Sequence, residues 1–335
     1  MQKQVKKICV LGDGGWGTAL AIMLSNKNYD VTIWGAFPDY LDYLRKNRNN
    51  IRYLPQIKIP TKIKFNSDIN ESVKNSEIII LAIPSQFMRK VIKKIKTACL
   101  KEKVFVSLTK GIENKSLKRM SEVIFEELGS INLAVLSGPT IADEVAKQIP
   151  TTAVIASSNK KLSKLLQEVF MTKFFRIYTS SDIIGVELGG SLKNIIAIAC
   201  GISDGLGFGT NTKAAILSRG LAEIIRLGKK LGAKEETFSG LTGLGDLVTT
   251  CINPKSRNHY VGEEIGKGKS LKTILKNFKM VAEGVPTAKS AYILSNKFNV
   301  EMPISEQVYL VLYKNKSPKQ AVFDLMTRAK KHETA

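Results

Sequence analysis

A glycine-rich turn near the amino terminus constrains the fold of this chain more than any other feature. A short apolar strand at residues 8 to 11 leads into the motif GDGGWG at 12 to 17, and a helix follows at about 15 to 25. The strand lacks polar alternation, which is typical of a parallel strand buried on both faces. Gly12 would allow a tight turn, Gly14 a close approach of the backbone to a pyrophosphate, and Gly17 close packing of helix on strand. The motif therefore predicts a dinucleotide-binding fold.

Length and composition indicate a two-domain globular protein. The 335 residues exceed the size at which a single hydrophobic core usually keeps growing. The hydrophobic content of 44% and the charged content of 24% are typical of soluble proteins. No segment approaches the roughly 18 consecutive apolar residues of a membrane span, and residues 1 to 7 do not resemble a secretion signal. We expect a cytoplasmic protein that does not insert into membranes.

Cysteine and histidine usage argues against a metal site. The four cysteines, Cys9, Cys99, Cys200 and Cys251, lie far apart in apolar or small-residue settings, and no CxxC pair occurs. Buried reduced thiols are favoured over a redox or zinc role. Two histidines are too few to suggest an imidazole cluster, and we expect no metal.

The net charge of +22 admits several kinds of partner. Nucleic acid, a membrane surface and an anionic substrate are each compatible with it. The lysines are scattered, with no basic tail and no stripe of arginines and aromatic residues. We therefore favour a dispersed solvated surface that draws in phosphorylated ligands, and we expect no nucleic-acid partner.

Strand-like and helical runs alternate through the first half of the chain. Apolar strand-like runs lie at residues 63 to 65, 78 to 83, 104 to 108, 134 to 136 and 153 to 156. Helical stretches, for example 86 to 96 and 117 to 128, lie between several of them. This alternation predicts an α/β fold with a Rossmann-type, doubly wound, mostly parallel sheet. From about residue 182 helical runs take over, so we predict a dinucleotide-binding domain at 1–185 and an all-α substrate domain at 186–335.

Three polar loops follow predicted strands of the first domain. They begin at Pro84, Thr109 and Ser137. Doubly wound sheets bind ligands at the carboxyl ends of their strands. We therefore expect these loops to line a ligand site.

A helical stretch at 185 to 204 carries a lysine among small residues. At helical spacing Gly189, Lys193 and Gly201 share a face. Each glycine inside a helix costs about 1 kcal/mol relative to alanine, so something must approach that face closely. It is either a neighbouring helix or a site that uses Lys193. A protonated lysine suits carbonyl reduction, and in the reverse direction burial or a nearby cation such as Lys110 would lower its pKa.

Two further stretches have compositions suited to substrate binding. A glycine-rich segment at 240 to 251 presents Asp246, which would orient a lysine or bind a hydroxyl. Ser256, Arg257 and Asn258 form a phosphate-binding composition, because arginine offers a fork of donors. Taken alone, each stretch is also compatible with a solvated loop.

These segments together resemble one family, the bacterial-type NAD(P)-dependent glycerol-3-phosphate dehydrogenases. The resemblance runs over almost the whole chain. It rests on GDGGWGTALA at 12 to 21, RYLP at 52 to 55, AIPSQ at 82 to 86, TKGIE at 109 to 113, LSGPTIADEVA at 136 to 146, PTTAV at 150 to 154, GVELGGSLKNIIAIACGISDGLGFG at 185 to 209, SRGLAEIIRLG at 218 to 228, GLTGLGDLVTTC at 240 to 251, SRN at 256 to 258 and VAEGVPTAK at 281 to 289.

The resemblance implies reversible hydride transfer between NAD or NADP and dihydroxyacetone phosphate, giving sn-glycerol 3-phosphate for phospholipid synthesis. It also implies a homodimer. Carried over by position, it makes Lys193 the catalytic proton acceptor. The implied substrate site comprises Lys110, Gly138, Thr140, Lys193, Asp246, Ser256, Arg257 and Asn258. The implied cofactor site, together with the glycine motif, comprises Gly12, Gly14, Gly15, Trp16, Gly17, Tyr53, Lys110, Ala142, Arg257, Val281 and Glu283.

The chain departs from the family pattern at two places. Gly15 stands where relatives commonly have serine, so a side-chain contact to the phosphates is lost while the backbone contacts remain. The end of the second strand, where an acid favours NAD and a base favours NADP, reads Ala36-Phe37-Pro38, with Asp39 just beyond. The preference between NADH and NADPH is left open.

Two other functions are compatible with parts of the sequence. The same two-domain architecture serves dehydrogenases of sugar acids and hydroxy acids, from which a phosphate site at 256 to 258 would distinguish this chain. A non-catalytic nucleotide sensor that binds nucleic acid is a third reading. The presence of Lys193, Lys110 and Asp246 argues against it.

Overall fold

A computed structural model describes residues 6–96, 100–277 and 281–333. The chain forms two compact units. Unit 1 comprises the described residues up to 113 together with 118–187, and unit 2 comprises 114–117 and the described residues from 188 onward. Cys99 lies outside the described residues.

Unit 1 is built from alternating strands and helices. Its strands are β1 (Lys7–Leu11), β2 (Asp30–Trp34), β3 (Asn49–Asn50), β4 (Leu54–Lys58), β5 (Lys64–Asn66), β6 (Ile78–Leu81), β7 (Val104–Ser107), β8 (Asn132–Ser137), β9 (Thr151–Ala156) and β10 (Phe175–Ser180). Its helices are α1 (Gly15–Asn26), α2 (Pro38–Asn47), α3 (Ile69–Lys74), α4 (Met88–Ile92), α5 (Met120–Leu128), α6 (Ala142–Ala146) and α7 (Lys160–Phe170).

Within the described residues, eight of these strands form one sheet in the order β10-β9-β8-β7-β6-β1-β2-β5. All neighbouring pairs are parallel except β8 and β9, which are antiparallel. The strand order reverses direction along the chain at β1, as in a doubly wound fold. The predicted Rossmann-type sheet is therefore confirmed.

The central strands are buried on both faces, as their unbroken apolar runs predict. Along β1, Ile8 and Val10 join the core on one face of the sheet, whereas Cys9 and Leu11 join the core on the other. Each of these four side chains is fully buried. The carboxyl end of β1 is consequently held between two cores, which fixes the glycine turn that follows it.

The regular secondary structure of unit 2, within its described residues, is entirely helical, which confirms the predicted second all-α part of the fold. It takes most of α8 (Ile183–Gly205), which begins in unit 1. The remaining helices are α9 (Thr210–Lys230), α10 (Glu235–Ser239), α11 (Asp246–Ile252), α12 (Arg257–Gly266), α13 (Leu271–Asn277), α14 (Gly284–Phe298), α15 (Pro303–Tyr313) and α16 (Pro318–Met326).

Some elements differ from the sequence-based prediction. The helix predicted at 86–96 is a short 3-10 turn, Ser85–Phe87, followed by α4. The helix predicted from 117 begins at Met120, because Leu117 has a left-handed backbone with φ of 61°. Strand β10 was not predicted. It lies at the edge of the sheet, so buried and exposed residues largely alternate along it and no apolar run marks it.

Helix α8 is the one helix of the described residues long and apolar enough to cross a membrane by length and composition. However, 89% of its most apolar 18-residue window is buried inside the structure. This burial is typical of the core helix of a soluble protein.

Glycines let α8 approach α12 with almost no space between their backbones. A Cβ added at Gly201 would lie 2.0 Å from the carbonyl oxygen of His259, and one at Gly205 would lie 2.2 Å from that of Glu263. On the facing helix, a Cβ at Gly262 would lie 2.1 Å from the carbonyl oxygen of Ile198. Close helix packing thus accounts for these glycines.

We expect Gly201→Ala to lower the free energy of unfolding by about 3 kcal/mol or more, because the added methyl collides with backbone that cannot move independently. Urea unfolding followed by circular dichroism measures the loss. Gly209→Ala is the control, since no atom of the described residues, apart from Gly209 and its chain neighbours, lies within 4 Å of a Cβ there. The packing argument is contradicted if the two variants lose equal stability.

Candidate active site

The glycine turn of unit 1 is locked by its neighbours. The Gly12 amide donates to the Trp34 carbonyl oxygen at 2.8 Å, and Gly12 has φ of 128°. A Cβ on Gly12 would lie 2.4 Å from the carbonyl oxygen of Ala82, and one on Gly17 would lie 2.3 Å from that of Gly12. Both positions therefore require glycine, and the turn carries the chain from β1 directly into α1.

Gly14 differs from its neighbours because it faces open space. Apart from Gly14 itself and its two chain neighbours, no atom of the described residues lies within 4 Å of a Cβ built on it. Gly14 precedes the first turn of α1, which has no acidic residue and no side-chain cap among the described residues. The amide groups and dipole at this end of α1 favour a bound anion.

Gly15, Trp16 and Tyr53 lie together beside this turn. A Cβ on Gly15 would lie 2.7 Å from the Tyr53 carbonyl oxygen, so the backbone of Tyr53 leaves no room for a side chain at Gly15. Tyr53 is held by its amide, which donates to Asn50 Oδ1 at 3.2 Å. The Trp16 ring meets Phe175 edge-on with centroids 6.3 Å apart, and its buried Nε1 has no hydrogen-bond partner among the described residues.

Lys110 and Thr140 converge on one carbonyl at the carboxyl edge of the sheet. Lys110 follows β7 and donates from Nζ to the Gly138 carbonyl oxygen at 3.0 Å. Thr140 donates to the same oxygen at 3.1 Å. Gly138 has φ of 143°, and a Cβ there would lie 3.0 Å from Ala153 Cα. Ala142, the first residue of α6, packs against the core that contains Ile8 and Val10 of β1.

Unit 2 contains a buried lysine with a carboxylate partner. Lys193 Nζ lies 2.6 Å from Asp246 Oδ1 and also donates to the Thr250 hydroxyl. The side chains of Lys193 and Asp246 are only 6% and 2% exposed. Removing two charges from water is costly unless they pair and make further hydrogen bonds, as these groups do. The ammonium is thereby held in one orientation.

The glycine-rich stretch of unit 2 delivers Asp246 to this lysine. Residues Leu241–Gly245 form a single π-helical turn that runs directly into α11, with Asp246 as its first residue. A Cβ on Gly189 would lie 2.5 Å from the Thr242 carbonyl oxygen, and one on Gly243 would lie 2.0 Å from that of Phe238. The glycine in α8 therefore admits the turn that carries the lysine's partner.

Asn258 joins three segments of unit 2. Its Nδ2 donates to Asn194 Oδ1 at 2.9 Å, and its Oδ1 accepts from the Gly284 amide at 2.9 Å. Asn194 follows Lys193 directly, and Gly284 follows Glu283, the residue before α14. Asn258 and Glu283 are thus brought close to the lysine helix, and Val281 lies half-buried two residues earlier.

Ser256 and Arg257 stand at the amino end of α12. The Ser256 hydroxyl caps the helix by accepting from the His259 amide. Arg257, the first residue of the helix, is exposed to solvent. A helix amino terminus with an arginine suits a phosphate.

Thr250 and Asn194 are site residues that the sequence analysis did not assign. Thr250 lies four residues after Asp246 on α11, which places both on one face of the helix. Helical spacing from Asp246 would have found it. Asn194 gave no such signal, because its partner lies 64 residues away.

Cys251 directly follows Thr250 on α11 and is fully buried. A hydrogen bond with Cys200 and burial raise the pKa of Cys251 well above its ordinary value. Cys9, Cys200 and Cys251 are buried and unbridged. Among the described residues, no group of three or more His, Cys, Asp or Glu side chains is placed to hold a metal ion.

Comparison with known proteins points to one family over both units. The family model of the NAD-dependent glycerol-3-phosphate dehydrogenase N-terminus matches residues 7–163, and that of the C-terminus matches 182–323. A glycerol-3-phosphate dehydrogenase (NAD(P)+) from Thermoanaerobacter sp. (strain X514) is 51% identical over 327 residues, covering 98% of each chain. One from Prosthecochloris aestuarii is 48% identical and covers 97% of this chain and 99% of its own.

Solved structures agree with the sequence relatives. Glycerol-3-phosphate dehydrogenase from Coxiella burnetii superposes with a TM-score of 0.92 at 39% identity, covering 97% of this chain and 99% of its own. A ketopantoate reductase from Ralstonia eutropha gives a TM-score of 0.61 at 12% identity, covering 94% of this chain and 99% of its own. The second likeness is one of fold alone.

We expect Asp246→Ala to lower the free energy of unfolding by about 3–5 kcal/mol, because it leaves the Lys193 ammonium buried without its carboxylate. The double variant Lys193→Met with Asp246→Leu removes both charges and should regain most of that stability. Thermal and urea unfolding measure both effects. Glu235→Ala, which breaks the exposed pair with Lys229, is the control and should cost less than about 1 kcal/mol. A single variant as stable as this control would contradict burial of the pair.

Proposed function

The chain belongs to the NAD-dependent glycerol-3-phosphate dehydrogenase family, and we propose that it interconverts dihydroxyacetone phosphate and sn-glycerol 3-phosphate with NADH or NADPH. One observation carries the proposal: Lys193, buried and held by Asp246 and Thr250, lies in a chain related to these enzymes over both units. In the reducing direction one hydride and one proton are added across the C2 carbonyl.

Lys193 supplies the proton in this proposal. Its ammonium donates to the C2 carbonyl oxygen as that oxygen gains negative charge, so the alcohol forms without a free alkoxide. Asp246 and Thr250 orient the ammonium by accepting its other hydrogens. In the oxidising direction the neutral amine removes the hydroxyl proton.

The residues around the glycine turn fit a dinucleotide. Gly14 leaves open the space that a side chain would fill, and the amide end of α1 suits a pyrophosphate. When bound, the nicotinamide nucleotide supplies or accepts the hydride. Gly15, Trp16 and Tyr53 line the same turn. On the family pattern we assign Ala142 to the cofactor, and Lys110 to both the cofactor and the substrate.

The phosphate of the substrate distinguishes this function from a hydroxy-acid dehydrogenase. Ser256 and Arg257 at the start of α12 offer a helix terminus and a guanidinium to a phosphate. Gly138, Thr140 and Asn258 complete the proposed substrate contacts. The nucleic-acid-binding alternative has no support comparable to the match with dehydrogenases over both units.

The biological setting follows from the same assignment. We propose that residues 1–185 serve the cofactor and 186–335 the substrate, and that the enzyme works as a homodimer in the cytoplasm. Its product would feed glycerophospholipid synthesis. The unbridged thiols of Cys9, Cys200 and Cys251 are in keeping with a reducing compartment.

We expect Lys193→Ala to lower the turnover number for dihydroxyacetone phosphate by about 10²–10⁴, since the proton donor is lost. Initial rates of NADH and NADPH oxidation measure it. Cofactor binding, followed by fluorescence titration, should persist and shows that the variant is folded. Lys193→Arg, which keeps the charge but holds its proton too tightly, should be similarly slow. The control Lys229→Ala lies on an exposed helix end, and turnover equal to it in either Lys193 variant would rule out the assigned role.

We expect Arg257→Gln to raise the KM for dihydroxyacetone phosphate about tenfold or more, because a charged phosphate contact is removed. Unphosphorylated dihydroxyacetone, which lacks the group that Arg257 would bind, should be used equally by the variant and the parent enzyme. Lys255→Gln removes the same charge two residues earlier and serves as the control. A KM that rises equally in both variants would indicate general electrostatic attraction instead of a phosphate site.

A further inference from the structure

This chain has no acidic residue directly after β2, the position where Rossmann folds commonly distinguish NAD from NADP. In Rossmann folds a carboxylate after the second strand accepts the adenosine ribose 2′-hydroxyl of NAD, and a basic residue there accommodates the 2′-phosphate of NADP. After β2 this chain has Gly35, Ala36 and Phe37, none of which is charged. Another residue must therefore act at this position, or the enzyme discriminates poorly.

A carboxylate reaches this place from the glycine turn. Strands β1 and β2 are adjacent and parallel, with Leu11 paired to Trp34, so their carboxyl ends lie side by side. A Cβ built on Gly35 would lie 2.7 Å from Asp13 Oδ2 and 2.9 Å from Asp13 Cγ. The Asp13 carboxylate thus occupies the space beside the end of β2, and Gly35 provides the room for it.

The backbone of Asp13 is anchored, whereas its carboxylate is not fully satisfied. The Asp13 carbonyl oxygen accepts from Asn50 Nδ2 at 2.9 Å and from Thr18 Oγ1 at 3.4 Å. Oδ2 of the same residue is buried and has no hydrogen-bond partner among the described residues. Burial raises the pKa of this carboxyl group. An added hydroxyl donor would stabilise it, because unpaired buried acceptors are costly.

A cation near this carboxylate offers the competing outcome. The Arg52 guanidinium lies 4.0 Å from the centroid of the Tyr40 ring, and its charge favours the ionised form of Asp13. A 2′-phosphate would meet Arg52 as well as the carboxylate. Arg52 is exposed and stacked on Tyr40, whereas Oδ2 of Asp13 is buried beside Gly35. We therefore expect the carboxylate, rather than the guanidinium, to contact the ribose.

We propose that Asp13 determines cofactor specificity in this enzyme, accepting the ribose 2′-hydroxyl of NAD(H) and disfavouring the 2′-phosphate of NADP(H). Asp13 takes the role that a residue after β2 has in other dinucleotide-binding folds. Gly35 is required because a side chain there would displace the Asp13 carboxylate. The inference uses the cofactor site of the proposed function but does not depend on the substrate.

Binding of two adenosine fragments tests this directly. Calorimetric titration of the full chain with ADP-ribose and with 2′-phospho-ADP-ribose measures discrimination without substrate or hydride transfer. We expect the parent protein to bind ADP-ribose about ten- to hundredfold more tightly. Asp13→Ala should reduce this ratio about tenfold or more, and Gly35→Ala, which displaces the carboxylate, should reduce it in the same direction. Asp39→Asn is the control for an exposed acid nearby and should keep the parent ratio.

Two results would overturn the proposal. One is an unchanged ratio in folded Asp13→Ala and Gly35→Ala, with folding checked by circular dichroism. The other is tighter binding of the 2′-phosphorylated fragment by the parent protein, abolished in Arg52→Gln, which would make Arg52 the selecting residue. Turnover of dihydroxyacetone phosphate is measured separately, so a failed dehydrogenase assignment leaves the fragment ratios interpretable.

Discussion

The contact between the Lys193 ammonium and the Asp246 carboxylate joins α8 to α11, and the proposed chemistry depends on it. A lysine as buried as this one is stable in its charged form only with a partner and further hydrogen bonds, which Asp246 and Thr250 provide. The geometry that brings them together consists of close backbone approaches. Gly189 admits the turn before α11, and Gly201 lets α12 lie against the same helix.

These close approaches explain why glycines occur inside the long apolar helix α8. Each glycine weakens α8 locally, but the packing it permits fixes the position of a charged group in a dry environment. The length and apolar composition that make α8 resemble a membrane span also suit it to be the buried core helix of unit 2. Helix packing and the proposed chemistry therefore use the same face of α8.

The sheet and the glycine turn were predictable from the sequence, because both depend on residues close together along the chain. Unbroken apolar runs indicate buried parallel strands, and the spacing of Gly12 and Gly17 indicates the turn. The partners of Lys193 were harder to predict from the sequence, because Asp246 lies 53 residues away and only the fold brings the two together. Composition suggested an aspartate near a lysine. The pairing, the hydroxyl of Thr250 and the amide network of Asn194 required the structure.

Cofactor choice illustrates the same limit. The residues after β2 gave no indication of a preference, because the relevant carboxylate belongs to the neighbouring strand's turn. Asp13 lies within the glycine motif, and the sequence alone does not indicate that its side chain reaches the end of β2. Only the register of β1 and β2 and the missing side chain of Gly35 place it at the end of β2.

Chemical rescue tests most directly whether the ammonium of Lys193 protonates the carbonyl oxygen. In Lys193→Ala, added ethylammonium should raise the rate of dihydroxyacetone phosphate reduction by at least about tenfold, in proportion to its concentration, because it replaces the lost acid. Bulkier amines of equal acidity should rescue less. A variant that is folded, binds cofactor and substrate, and gains no activity from any small amine would contradict the account.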